Sequence, residues 1–229
     1  ISIYPGDWQY DSSGQIVYYP AGTLERSAAT WLSFDRDSLH VDAHSNAEVT
    51  YAVSVPPDAA PGSYWAALFA EGTEPETDEA GPAPLTTFRL RTAHMIYVNV
   101  PPSTGGGRIT GMLGHVPVSE DAPYTMQLTY LNEGNTVQIL RGEIQIRSVT
   151  GELIDTVQMD RHMALPGITR TFNVSVFGPM PAGNYLALAL LNYGDLAVDV
   201  AGEFVFTLDQ ALAAPSFQFQ EAAERARLE

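Results

Sequence analysis

The chain has 229 residues, 45% apolar and 17% charged, the balance of a globular protein and the reverse of a disordered one. Its eleven basic residues are all arginine and face 27 acidic ones, a net charge of −16 that argues against nucleic acid and anionic membrane surfaces as partners. With no cysteine, disulfides, thiolate metal sites and cysteine nucleophiles are excluded, and no apolar run approaches the ~20 residues of a spanning helix. The missing lysine fits either an arginine-biased genome or a salt-adapted surface. The sequence opens on Ile1-Ser2-Ile3-Tyr4, with neither an initiator methionine nor a secretory signal, and reads as processed, trimmed or partly supplied.

In chain order, the dominant signal is the strand. Val49, Tyr51, Val53 and Val55 alternate with polar or small residues and share one face. The same alternation places Met126, Leu128 and Tyr130 together, then Ile144 and Ile146, then Phe204, Phe206 and Leu208. With 19 glycines and 16 prolines punctuating these runs, an all-β fold of sandwich type is expected. The segment Phe88 to Val100 is long and β-rich and carries Arg89 and Arg91. Lying before a linker, it is a candidate edge strand whose unpaired main chain would template a partner's strand.

A repeat is superimposed on this pattern. Shifted by 121, Val53, Ser54, Val55, Gly62, Tyr64 and Ala66 match Val174, Ser175, Val176, Gly183, Tyr185 and Ala187, six identities in sixteen positions. The motif is a strand, a Pro/Gly turn, and a strand opening on a tyrosine that can bond back to the turn as a tyrosine corner. A weaker echo pairs the segment from Gly6 with the segment from Gly142. Two tandem domains of one fold follow: residues 1–100, a linker 101–107 (Pro101-Pro102 to Gly107), residues 108–209, and a tail 210–229 that reads as a frayed end or linker, or else as a short strand at Phe217 and Phe219 with a helical turn or two over Glu221 to Leu228. The first domain is short by about two strands and their turns at its N-terminal end. Either the natural chain begins earlier, or the sandwich is open and another chain supplies strands.

Motifs for chemistry are few. No nucleophile elbow, zinc-protease helix motif or phosphate loop is present, so an enzyme is not expected. His40, Asp42 and His44 alternate and could in principle hold zinc, but the apolar Leu39 and Val41 between them turn the histidines to water. The acidic run Glu71, Glu74, Glu76, Asp78 and Glu79 reads as a solvated loop rather than a calcium site. Asn173-Val174-Ser175 matches a glycosylation acceptor but falls inside a strand. No cofactor or metal is expected. Of the aromatics crowding the first half, Trp31 and Trp65 are expected in the core, whereas exposed Trp8 and Tyr10 could stack on sugars.

The run Trp31-Leu-Ser-Phe34, Leu39-His-Val41, Val53-Ser-Val-Pro56-Pro57-Asp58 and Pro61-Gly62-Ser-Tyr64 resembles bacterial extracytoplasmic immunoglobulin-like domains. It is similar to the PapD-like periplasmic pilus chaperones and to surface proteins that bind WxL domains. The resemblance implies two tandem immunoglobulin-like β-sandwiches in the periplasm or at the cell surface. It also implies that the strand through His94-Met95-Ile96-Tyr97-Val98 complements an incomplete subunit, with His94 nearest to the basic residue that the family uses to anchor a partner's terminal carboxylate. The expected function is non-catalytic: binding protein subunits of a pilus or surface assembly by strand pairing through Arg89, Arg91, His94, Ile96, Tyr97 and Val98. The rivals are an adhesion or carbohydrate-binding module and a structural subunit of a fibre or envelope complex.

Overall fold

The computed structural model describes residues 1–11, 14–42, 44–72, 89–115, 122–194 and 198–212. The chain divides into two compact units, Ile1–Thr104 and Gly105–Glu229. Apart from one 3-10 turn, Ala29–Trp31, their regular structure among the described residues is all antiparallel β. The acidic residues 74–79, Phe88 and the tail beyond Leu212, expected as a frayed end or as a strand and helical turn, lie outside the described residues.

Unit 1 contains β1 (Ser2–Tyr10), β2 (Ile16–Pro20), β3 (Leu32–Phe34), β4 (Tyr51–Val53), β5 (Gly62–Glu71) and β6 (Arg91–Val100). They form a four-stranded sheet, β2-β1-β5-β6, and a two-stranded one, β3-β4. Alternation decides what faces inward: Tyr64, Ala66 and Leu68 of β5 lie with Ile3 and Ile96. Over them pack Ala28, Ala29, Trp31, Leu32, Phe34 and Val49, the Trp31 and Tyr64 rings 4.3 Å apart. At the end of this face the buried Asp7 carboxylate accepts bonds from the Leu24 amide at 2.8 Å and from the Ser27 hydroxyl, tying the segment after β2 to β1.

Unit 2 contains β7 (Gly107–His115), β8 (Tyr124–Asn132), β9 (Gln138–Ser148), β10 (Leu153–Ala164), β11 (Thr169–Val176), β12 (Gly183–Asn192) and β13 (Val200–Leu208). A sheet β11-β8-β7 packs on a sheet β10-β9-β12-β13 around one core. Met126, Leu128 and Tyr130 come from one layer, Ile144, Ile146 and Leu191 from the other, each essentially inaccessible. Seven strands in this order make an immunoglobulin-type sandwich whose fourth strand sits beside the third.

The 121-residue repeat is a structural one. β4 and β5 occupy in unit 1 the places of β11 and β12 in unit 2, and both tyrosines close the expected corner. Tyr64 Oη donates to the Ala60 carbonyl at 3.1 Å and Tyr185 Oη to the Pro181 carbonyl at 2.7 Å, each four residues back. The weaker echo identifies the right strands in the wrong register. Gly6 pairs with Ala67, and the residue of β12 equivalent to Ala67 is Leu188, which pairs with Gln145 rather than Gly142. A three-residue slip of this kind exchanges the two faces of a strand.

Removing either corner hydroxyl leaves a part-buried carbonyl short of a donor. Tyr64→Phe and Tyr185→Phe are each expected to lower the unfolding free energy by about 1 kcal/mol. Urea denaturation of the single and double variants checks this, and the double should equal the sum if the corners act separately.

Candidate functional site

β6 is a terminal strand of its sheet, bonded to β5 alone among the described residues. The direction of its main-chain groups follows from the ladder. Trp65 of β5 bonds away from β6, its amide to the Arg26 carbonyl at 3.1 Å and its carbonyl to the Ala28 amide at 2.9 Å. Antiparallel strands alternate, so even-numbered residues of β5 bond β6, through the even-numbered residues opposite them, Leu68 with His94 and Ala66 with Ile96. Gly72, whose amide donates to the Leu90 carbonyl at 2.9 Å, has the same parity. Ala93, Met95 and Asn99 therefore turn their N–H and C=O groups to the open edge.

The six expected partner-binding residues share one segment but not one surface. Ile96 is 6% exposed and packs with Ile3 and Leu68, so its side chain belongs to the core. Val98 lies half-buried on the same inner face. His94 is exposed on that face, its Nε2 3.4 Å from the Tyr51 hydroxyl of β4. Arg91 lies across the opposite face, its guanidinium 4.9 Å from the Phe69 ring centre and 5.3 Å from that of Tyr18. Arg89 precedes the strand and is exposed. Tyr97 is on Arg91's side, opposite Trp65.

A second open edge, which sequence reasoning missed, belongs to β4. Thr50 and Ser54, which flank it, bond toward the β3 side: the Asp35 amide donates to the Thr50 carbonyl at 3.0 Å and the Ser54 amide to the Trp31 carbonyl at 2.9 Å. Tyr51 and Val53, of the other parity, point their main chain away from β3. In unit 2 the equivalent side of β11 is bonded to β8 in the register Phe172↔Leu128 and Val174↔Met126. No strand occupies that side of β4 among the described residues. The side chains register the difference. Phe172 and Val176 are 2% and 0% exposed, whereas Tyr51 and Val55 at the matching positions are 37% and 44% exposed. β13, the counterpart of β6, is likewise terminal in its sheet, but the Ile109 side chain of β7 packs over its Gly202.

The outward face of the unit 1 sheet is aromatic, with Phe69, Trp65 and Trp8 buried beneath the exposed Tyr18 and Tyr97. Gly6 carries no side chain because a Cβ there would stand 2.6 Å from the Phe69 ring, and in that space Phe69 reaches Tyr4 and Tyr18, centroids 5.2 and 5.0 Å away. Trp8, which the carbohydrate-module reading needs exposed, is 1% exposed. It meets Tyr10 and Tyr97 edge-on at 5.4 and 6.1 Å, and its carbonyl accepts the Trp65 indole N–H at 2.7 Å. Strand β5 buries both of its faces, so Trp8 stands over an apolar floor and is covered by its neighbours instead of facing water. Trp65 is buried as expected, Trp31 half-buried. Elsewhere His40 and Asp42 form an exposed pair at 3.2 Å, and no group of three ligand-type side chains able to hold a metal occurs among the described residues.

No protein-family model and no curated protein matches this chain. Among solved structures it is similar to a chain from work titled "Chaperone-tip adhesin complex is vital for synergistic activation of CFA/I fimbriae biogenesis", with 9% identity, a TM-score of 0.46, and 92% of this chain and 85% of that one covered. It is also similar to a β-glucosidase from Kluyveromyces marxianus, with 13% identity, a TM-score of 0.26, and 48% of this chain but 15% of that one covered.

Burial, and next to it the neighbouring Tyr10, push the Tyr97 phenol up to about 12. An unfolded tyrosine ionises near pH 10. Its contribution to stability is therefore complete below pH 10 and is lost as pH rises from there through about 12. Burial also raises the phenols of Tyr124, Tyr130 and Tyr193, so ultraviolet titration should show a late-ionising group of phenolates that loses one member in Tyr97→Phe.

Proposed function

We propose that this protein is a non-catalytic component of a bacterial envelope or surface assembly, located outside the cytoplasm, that binds another protein by adding its strand to unit 1. The observation that carries this reading is the β6 edge. Ten residues long, it turns the main-chain groups of Ala93, Met95 and Asn99 outward. Main-chain pairing along such an edge gives affinity, and alternate side chains give selectivity. Arg89, Arg91, His94 and Tyr97 are then the side chains within reach of a partner, while Ile96 and Val98 hold the strand to its own core. A chaperone-like or assembly role for a pilus or comparable surface structure follows from that mode of binding. The carbohydrate-module reading loses support from the burial of Trp8.

Proline at position 95 removes one outward N–H without touching the β5 ladder, and proline is tolerated on edge strands. Met95→Pro is expected to fold, with far-ultraviolet dichroism unchanged. Wild-type protein immobilised over envelope extract of its own cells should retain one stoichiometric protein, with slowed hydrogen exchange at Ala93, Met95 and Asn99 in the complex. Met95→Pro should lose it. Equal retention by the proline variant, or protection confined to unit 2, would overturn the reading.

A further inference from the structure

Unit 2 carries a hollow of about 510 Å³ on the side of the β10-β9-β12-β13 sheet away from its core. Its volume is within the roughly 300–1,000 Å³ of small-molecule sites. It is built by an irregularity in the ladder. Met159 pairs with Gly142 and His162 with Leu140, so Asp160 and Arg161 together face the single residue Arg141. That is a β-bulge, a device that re-aims side chains next to binding sites. Gly142 is required beside it, because a Cβ there would lie 2.1 Å from the Leu190 carbonyl oxygen.

The result is two rows of side chains crossing three strands. Arg161, Arg141 and Asn192 make one row, and Gln158, Glu143 and Leu190 the next. Two guanidiniums on adjacent strands repel, and like charges placed opposite each other destabilise a sheet. Neither arginine has an ion pair or a side-chain hydrogen bond to another described residue, although the chain has 27 acidic residues. The carboxylate nearest in the ladder, Glu143, is held by other groups, accepting from Gln145 Nε2 at 2.7 Å and Gln158 Nε2 at 3.0 Å. Those two amides keep its carboxyl below the usual range, so it is charged at neutral pH. Asp160, on the bulge, does not line the hollow.

Among the described lining residues, two guanidiniums and one carboxylate carry a net charge of +1. A single carboxylate balances that, and its two oxygens suit the planar donors of arginine. A phosphate dianion would overshoot it and meet Glu143. The remaining outward lining among the described residues is amide, carboxylate and the apolar Leu190 and Val198, while Met159 behind it belongs to the core. Such a set can bond hydroxyls and cover a carbon skeleton.

We infer that this hollow in unit 2 binds a small carboxylate-bearing sugar acid, with Arg141 and Arg161 holding its carboxylate. The site is independent of strand pairing in unit 1. Titration calorimetry with glucuronate, at low ionic strength, should show saturable binding to the full chain. Arg141→Gln and Arg161→Gln should each weaken it at least about tenfold, as expected for one charge-assisted pair lost. Both side chains are exposed and losing either relieves their mutual repulsion, so the thermal midpoints of the variants should not fall below that of the wild type. Glucose should bind at least about tenfold more weakly for want of the charge, and inorganic phosphate should gain affinity in Glu143→Gln. Binding of phosphate to the wild type as tightly as glucuronate, equal binding of glucose, unchanged affinity in both arginine variants, or no saturable heat at millimolar glucuronate would each overturn the inference.

Discussion

A β-sheet with one apolar face must have that face covered, and each unit meets this requirement with a different amount of chain. In unit 2 a three-stranded sheet covers a four-stranded one, and β12 alternates strictly between buried and half-exposed residues. In unit 1 the cover is thinner: a two-stranded sheet, a 3-10 turn and the loop carrying Leu39. What unit 1 lacks in layers it makes up in part on the other side of the same sheet, where Phe69, Trp65 and Trp8 are packed away beside Arg91. The open edge of β4 and the burial of both sides of β5 go with this difference in cover.

Much of the fold was legible because its carriers are local. Period-two alternation exposed the strands, and the 121-residue repeat located the corner tyrosines and therefore the equivalence of β5 with β12. The short cover of unit 1 was legible as an arithmetic difference between the repeats. The edge position of β6 could be read because a terminal strand before a Pro/Gly linker has no following partner within its domain.

What stayed hidden depends on pairing rather than on local pattern. The echo from Gly6 to Gly142 misled because glycine was kept in both strands for unrelated reasons, room for Phe69 in one and close approach of the Leu190 carbonyl in the other. Whether Trp8 is exposed or buried stayed open because alternation cannot reveal that both faces of a sheet are buried. The continuous apolar run from Tyr64 to Ala70 was the available signal for that. Arg141 and Arg161 are twenty residues apart and sit side by side only through a bulge that no residue type announces.

The open edges of β4 and β6 also bear on how the protein lives in concentrated solution. Two edges that no described residue pairs are ready templates for copies of the same chain. Each copy, however, carries a net charge of −16, so approaching molecules repel before their main chains come within bonding distance. This protection acts over about 10 Å at 0.1 M salt and shrinks as salt rises. Colloidal repulsion therefore sorts encounters by charge: like copies are held off, while a neutral or basic segment can reach the same backbone groups.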